Sequence, residues 1–148
     1  TQIPVPASGL AGSRDLVLGI GCDRNTPYAT LAQVIDEALA QLQASWADVR
    51  AVASIDLKAD EVAMQQLMQQ RGCDIRFYSA AQLAQVPVPN PSETVRKYTG
   101  TPSVSEAAAL LAAGADGQPA PMSALLIEKH KLRGPDGRNA TVSVAAIG

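Results

Sequence analysis

Asp15-Leu-Val-Leu-Gly-Ile-Gly21 is a short apolar run ending in glycine, and Thr26-Pro27 soon follows at the head of a helical pattern. A run this short, with no polar alternation, reads as a strand buried on both faces. Threonine suits an N-cap, and proline suits the first helical position, where no amide donor is needed. Leu31, Val34, Ile35, Ala38, Leu39 and Leu42 then recur at helical spacing, so one face of the helix lies on a sheet. A buried strand feeding such a helix is the opening unit of an α/β fold.

The same rhythm continues outward from this unit. Ala51-Val-Ala-Ser-Ile55 reads as a second strand. Asp60 and Glu61 sit where a helix N-terminus favours negative charge, and Met64, Leu67 and Met68 carry an apolar stripe until Gly72 stops it. Cys73-Asp-Ile-Arg-Phe-Tyr78 reads as a third strand, with a short helix expected over 79–86. Strand and helix in alternation imply parallel pairing.

Pro87-Val-Pro-Asn-Pro91 breaks the rhythm with an extended crossing. Asn90-Pro-Ser-Glu93 and Ser103-Val-Ser-Glu106 then have the form of capping boxes, predicting two helices, the second ending at Gly114. A polar loop over 115–121, a strand over 123–130 and the turn Gly134-Pro-Asp-Gly137 lead to Thr141-Val-Ser-Val-Ala-Ala-Ile147 as a hairpin partner. The expected fold is a three-layer α/β/α domain over 15–148, with a mixed, mostly parallel sheet of about five strands. Residues 1–14 read as a loose polar tail without a hydrophobic signal core.

Composition narrows the function classes. The chain is 47 % hydrophobic but only 3 % aromatic, so its core is built from Ala, Leu, Val and Ile. A net charge of -2 and few stacking rings argue against nucleic acid as a partner. Two cysteines without ligand spacing and one histidine leave no metal site and no disulfide framework. The chain has no apolar run long enough to span a bilayer, so no membrane partner is expected and a cytoplasmic location is.

Four stretches carry candidate chemistry. Gly19-Ile-Gly-Cys-Asp-Arg-Asn-Thr26 joins a strand end to a helix start: either a tight turn alone, or an anion site in which Gly19 and Gly21 admit a ligand and Arg24 adds a charge. It lacks the endings of both phosphate fingerprints. Cys22 reads as a packing residue or a thiol activated near a helix N-terminus. Asp56 and Lys58 leave the end of the second strand, where ligands gather in open α/β sheets, or else order a loop there. In the segment 90–106, capping accounts for Asn90, Ser92, Glu93, Ser103 and Glu106, leaving Arg96-Lys-Tyr98 as a basic-aromatic triplet whose usual meaning is a solvated face. Glu128-Lys-His-Lys131 closes the set, with His130 either surface decoration or else a proton donor or axial metal ligand.

Four segments in order resemble one family. They are Gly-Ile-Gly-Cys (19–22), Ser-Ile-Asp-Leu-Lys-Ala-Asp-Glu (54–61), Pro-Asn-Pro-Ser-Glu (89–93) leading to Thr-Pro-Ser-Val-Ser-Glu-Ala-Ala-Ala-Leu (101–110), and Thr-Val-Ser-Val-Ala (141–145). Together they are similar to the CobE and CbiG C-terminal-domain family of cobalamin (vitamin B12) biosynthesis, over about residues 15–147. The resemblance implies an α/β domain of the aerobic pathway that binds or carries a corrin-ring intermediate or product, a polycarboxylate like hydrogenobyrinic acid. Its alternative is an enzyme related to cobalt-precorrin-5A hydrolase, which opens a lactone and releases acetaldehyde. The family's first loop usually carries basic residues and a glycine after the cysteine; here Asp23 and Asn25 depart from that and Arg24 is the only cation.

On this reading the ligand contacts are Gly19, Gly21, Cys22, Arg24, Thr26, Asp56, Lys58, Asn90, Ser92, Glu93, Thr101, Ser103, Glu106 and Lys129. Three helix starts, Thr26-Pro27, Asn90-Pro91 and Thr101-Pro102, are expected to meet around one anion-holding rim. Asp56, Lys58, Cys22 and Glu93 are the catalytic candidates if the chain is an enzyme. A corrinoid or precorrin small molecule is the expected partner, with other cobalamin-biosynthesis enzymes as further ones, and no cofactor is implied.

Overall fold

The computed structural model describes residues 15–101, 103–115 and 118–147, so the tail predicted over 1–14 lies outside the described residues, as does Pro102. The opening apolar run forms β1 (Leu16–Cys22), whose Leu16, Val17, Leu18 and Ile20 are almost wholly buried. It is followed by α1 (Tyr28–Gln41), β2 (Val49–Ile55), α2 (Val62–Arg71), β3 (Ile75–Tyr78), α3 (Ala80–Ala84), α4 (Glu93–Thr99), α5 (Ser105–Ala113), β4 (Leu125–Arg133) and β5 (Asn139–Ala146). Short 3-10 turns cover Trp46–Asp48, Asp56–Lys58 and Met122–Ala124.

The strands lie in the order β3-β2-β1-β5-β4. β1 pairs in parallel with β2, and β2 with β3, while β5 runs antiparallel to both β1 and β4. Four of the five strands therefore point one way, and β5 alone runs against them. The sheet is mixed, as the sequence rhythm requires.

Alternation along β1 sorts the core into two layers. Leu16, Leu18 and Ile20 pack with Leu31, Val34, Ile35 and Ala38 of α1 and with Met64 and Leu67 of α2. Val17 packs on the other face with Ala107, Ala108, Ala109 and Leu110 of α5 and with Leu83 of α3. The scarcity of aromatics has its reason here: α5 is mostly alanine and sits directly on the sheet. A Cβ on Gly19 would strike the Ser105 carbonyl oxygen and lie 2.6 Å from the Ala109 amide nitrogen. Gly19 is thus a packing residue that admits α5, not a ligand contact, and the sequence expectation is corrected on that point.

Local signals placed several elements well. Gly72 ends α2 in the left-handed region at φ +63, and Ser79 caps α3 by accepting from the Gln82 amide at 3.1 Å. Three predicted caps are corrected. α1 begins at Tyr28, and the Thr26 hydroxyl donates to the Asp23 carbonyl at 2.7 Å instead of capping the helix. Ser92, not Asn90, caps α4, accepting from the Val95 amide at 3.2 Å. α5 begins at Ser105 with no side-chain cap, because the Ser103 hydroxyl donates to the buried Glu106 carboxylate at 3.0 Å.

Candidate functional site

The parallel strands end at one edge of the sheet, and the lone antiparallel strand begins there, since Cys22 at the end of β1 faces Ala140 at the start of β5. Ligand sites in open α/β sheets form outside such carboxyl ends. A cleft of about 560 Å³ opens at this edge. Its lining comes from the end of β1 (Gly21, Cys22) with Asp23 and Arg24, from Lys58, from α4 (Thr94, Val95, Thr99), from Val104 and Ser105 at the start of α5, and from Lys129, Lys131, Asn139 and Thr141 of the β4–β5 hairpin.

The first loop is tied down by its own charges. Arg24 lies 3.0 Å from Asp60 and 2.9 Å from Glu61, and its guanidinium also donates to the Leu57 carbonyl at 3.2 Å. Glu61 is 4 % exposed, and its other oxygen accepts the Asn25 amide at 3.0 Å. Its Oε2 has close ionic contact with Arg24 but no aligned hydrogen bond, so Arg24 carries the neutralisation of a buried charge. The same contact holds the Asp60 carboxyl below the usual carboxylate range through the hydrogen bond from Arg24. Asp23 is committed as well, accepting from the Asn139 amide at 2.8 Å and its side chain at 3.2 Å. The residues by which this loop departs from the family pattern, Asp23 and Asn25, therefore hold the loop in shape.

Cys22 lines the cleft, but burial pushes its thiol up to about 11, only partly opposed by Lys58. At neutral pH it is a protonated thiol, which argues against a cysteine nucleophile there.

Of the residues expected to touch a ligand, Gly21, Cys22, Arg24, Lys58 and Lys129 line the cleft. The others lie outside its lining. Asp56 is exposed at the head of its 3-10 turn, and Glu93 is exposed and faces Arg96 at 3.5 Å. Thr26 and Thr101 are buried in loop hydrogen bonds, Thr101 donating to the Ser103 carbonyl at 3.1 Å. Asn90 bridges two acids, donating to Glu106 at 2.6 Å and Glu128 at 3.1 Å, so it pins the proline crossing to α5 and β4. Ser92, Ser103 and Glu106 serve helix ends and this buried network.

Of the three helix starts, residues at the heads of α4 and α5 reach the lining, while Thr26 and Pro27 lie outside it, α1 packing on the sheet face opposite α5. His130 faces α1, with Nε2 2.8 Å from Glu37 and Nδ1 3.3 Å from Gln41. Sequence reasoning missed Lys131, Ser105, Val104 and the α4 residues. The available signal for Lys131 was its spacing of two from Lys129, which puts both on one face of a strand.

The molecule is thus an α/β domain of the open-sheet class, with a cleft at its strand ends lined by lysines, hydroxyls and two valines. The family model described as "Cobalamin synthesis G C-terminus" matches residues 16–145, and the chain belongs to this family of cobalamin-biosynthesis proteins. It is 39 % identical over 132 residues to the cobalt-precorrin-5A hydrolase of Priestia megaterium, covering 89 % of this chain and 32 % of that protein. It is 42 % identical over 101 residues to Protein CobE of Sinorhizobium sp, covering 67 % of this chain and 66 % of that protein. The chain thus spans about a third of the hydrolase and just under two thirds of CobE. Its fold matches the crystal structure of CobE, a protein from the cobalamin (vitamin B12) biosynthetic pathway, with a TM-score of 0.73 at 32 % identity over 90 % of both chains. Among the described residues no helix is long and apolar enough to cross a membrane.

Proposed function

We propose that this chain acts in the aerobic route as a binding or carrier protein for a corrin-ring intermediate or product, seated by one edge in the cleft at the strand ends. The observation that carries the reading is the lining itself. Val95 and Val104 offer apolar contact to a flat ring, while Lys58, Lys129 and Lys131 offer positive charge to the acetate and propionate groups at its rim. Family membership supplies the ligand class.

A binding role is favoured over hydrolysis by what the lining holds. Among the described residues Asp23 is the one carboxylate in the lining, and it accepts twice from Asn139. Cys22 is a protonated thiol, and Asp56 and Glu93 stand elsewhere. A hydrolase needs a base or nucleophile within reach of the scissile bond. The hydrolase named among the relatives also has two thirds of its length outside the match.

The direct test is titration of a metal-free corrin bearing free carboxylates, followed by its visible spectrum. A saturable shift at micromolar protein is expected. A spectrum that stays unchanged at that concentration refutes the reading, and turnover of a lactone-bearing precursor would promote the enzyme alternative.

A further inference from the structure

Four cations line the cleft, but they are not equivalent. Arg24 is held by Asp60, Glu61 and the Leu57 carbonyl. Lys58, Lys129 and Lys131 have no carboxylate within 4.0 Å among the described residues. Lys58 follows β2, whereas Lys129 and Lys131 lie on β4, and β1 and β5 stand between those strands. Three strand spacings separate the two walls, about 14 Å at the backbone. A small carboxylate held by one wall leaves the other wall's charge unmet.

We infer that the cleft selects its ligand by carboxylate placement: Lys58 on one wall and Lys129 with Lys131 on the other engage acid groups set apart along the inserted edge of one macrocycle, while Arg24 is a positioning residue that makes no ligand contact. This rests on the binding reading above and goes further by dividing the lysines between two walls that read carboxylate spacing and by taking Arg24 out of the ligand contacts. Arg24 acts through Glu61 and Asn25, which set the loop that follows Gly21 and Cys22 at the mouth of the cleft. Asp23 forms no ion pair with the lysines among the described residues, and its Oδ2 accepts from Asn139.

The experiment compares the corrin polycarboxylate with the same ring amidated at its acid groups, on the wild-type chain and on Lys58→Gln, Lys129→Gln/Lys131→Gln and Arg24→Gln. Each lysine lost is expected to weaken the acid form about tenfold at low salt and to leave the amide form nearly unchanged, the scale of one charged hydrogen bond. The salt dependence of acid binding falls in step. Arg24→Gln is expected to weaken both forms alike and keep their ratio, the signature of a positioning role. The inference is overturned if the acid-to-amide ratio survives loss of the lysines, or collapses in Arg24→Gln, with the binding reading left standing. Uroporphyrin, a flat macrocycle with carboxylates around its whole rim, separates the two failures. Lysine-dependent binding of uroporphyrin without corrin binding sinks the corrin reading and keeps the charge placement. Binding of neither macrocycle overturns both.

Discussion

Replacing Gly19 with alanine adds a single methyl group at the centre of the molecule, and its cost follows from what that methyl meets. It falls on the Ser105 carbonyl oxygen, 2.6 Å from the Ala109 amide nitrogen and 2.9 Å from the Ala109 Cβ. None of these atoms can rotate away, since two are helix backbone and the third is fixed to it. α5 must retreat from the sheet, and eight of its residues, Ser105 to Leu110 with Ala112 and Ala113, are buried. Overpacking costs about 1–3 kcal/mol where side chains can adjust, and here the upper end or beyond, about 3 kcal/mol, is expected. Relief of glycine's entropy in a strand offsets only about 0.5 kcal/mol of it. For a domain of this size the melting temperature should fall by about 10 °C.

Gly21→Ala is the matched control. Its methyl would meet the Val104 Cγ1 at 3.6 Å, an ordinary contact, so stability should move by no more than about 0.5 kcal/mol. Thermal and urea unfolding followed by far-ultraviolet circular dichroism reads both variants. If Gly19→Ala melts with the wild type, or if Gly21→Ala loses as much, the close seating of α5 on β1 is wrong.

Further outcomes follow from the clasped loop, the Cys22 thiol and the buried network. Arg24→Ala strands the buried Glu61 carboxylate and should lower the melting temperature, and adding Glu61→Gln should recover most of that loss; additive losses in the double variant would deny the coupling. Cys22 should react with iodoacetamide at pH 8 about a hundredfold more slowly than a free thiol, since a pKa raised from 9.0 to about 11 leaves that much less thiolate. The sign for stability is equally definite: the neutral thiol's contribution is intact below pH 9.0 and is lost as pH rises toward about 11, so Cys22→Ala should soften the alkaline fall in a pH series of melts. Asn90→Ala removes a donor from the buried Glu106 and should cost about 1–3 kcal/mol by urea unfolding, whereas Ser92→Ala, which removes only a helix cap, should cost about 1 kcal/mol.

The strands and long helices were legible because burial writes period and length into the sequence. β1 is a short apolar run, and Gly72 and Ser79 act locally, so neighbours in sequence were enough to read them. The capping predictions at Thr26, Asn90 and Ser103 failed because a hydroxyl or amide that can cap a helix can equally bond elsewhere. Asn90 finds Glu106 and Glu128 across the fold, while Thr26 and Ser103 turn to the Asp23 carbonyl and the Glu106 carboxylate, each three residues away. The hairpin shows a second limit. The pairing of β4 with β5 shifts register between Ile127 and His130. Strict alternation would put Lys129 on the same face as Ile127. The shift instead leaves Ile127, His130 and Leu132 toward α1, with Lys129 and Lys131 in the cleft lining. A bulge of this kind depends on the partner strand and leaves no mark in the residues themselves.

The position of β5 also bears on how the protein comes off the ribosome. Within this domain β1 is synthesised before every other strand, yet its inner neighbour on one side is β5, with Leu16 set against Ala146. The middle of the sheet therefore stays open until nearly the whole domain has been synthesised, and closing so distant a pair is the slow part of assembling such a topology. Lys129 and Lys131 arrive on the same late hairpin. A domain synthesised only as far as β4 thus holds neither a finished sheet nor a closed cleft, and the full lining comes only with completion of the fold.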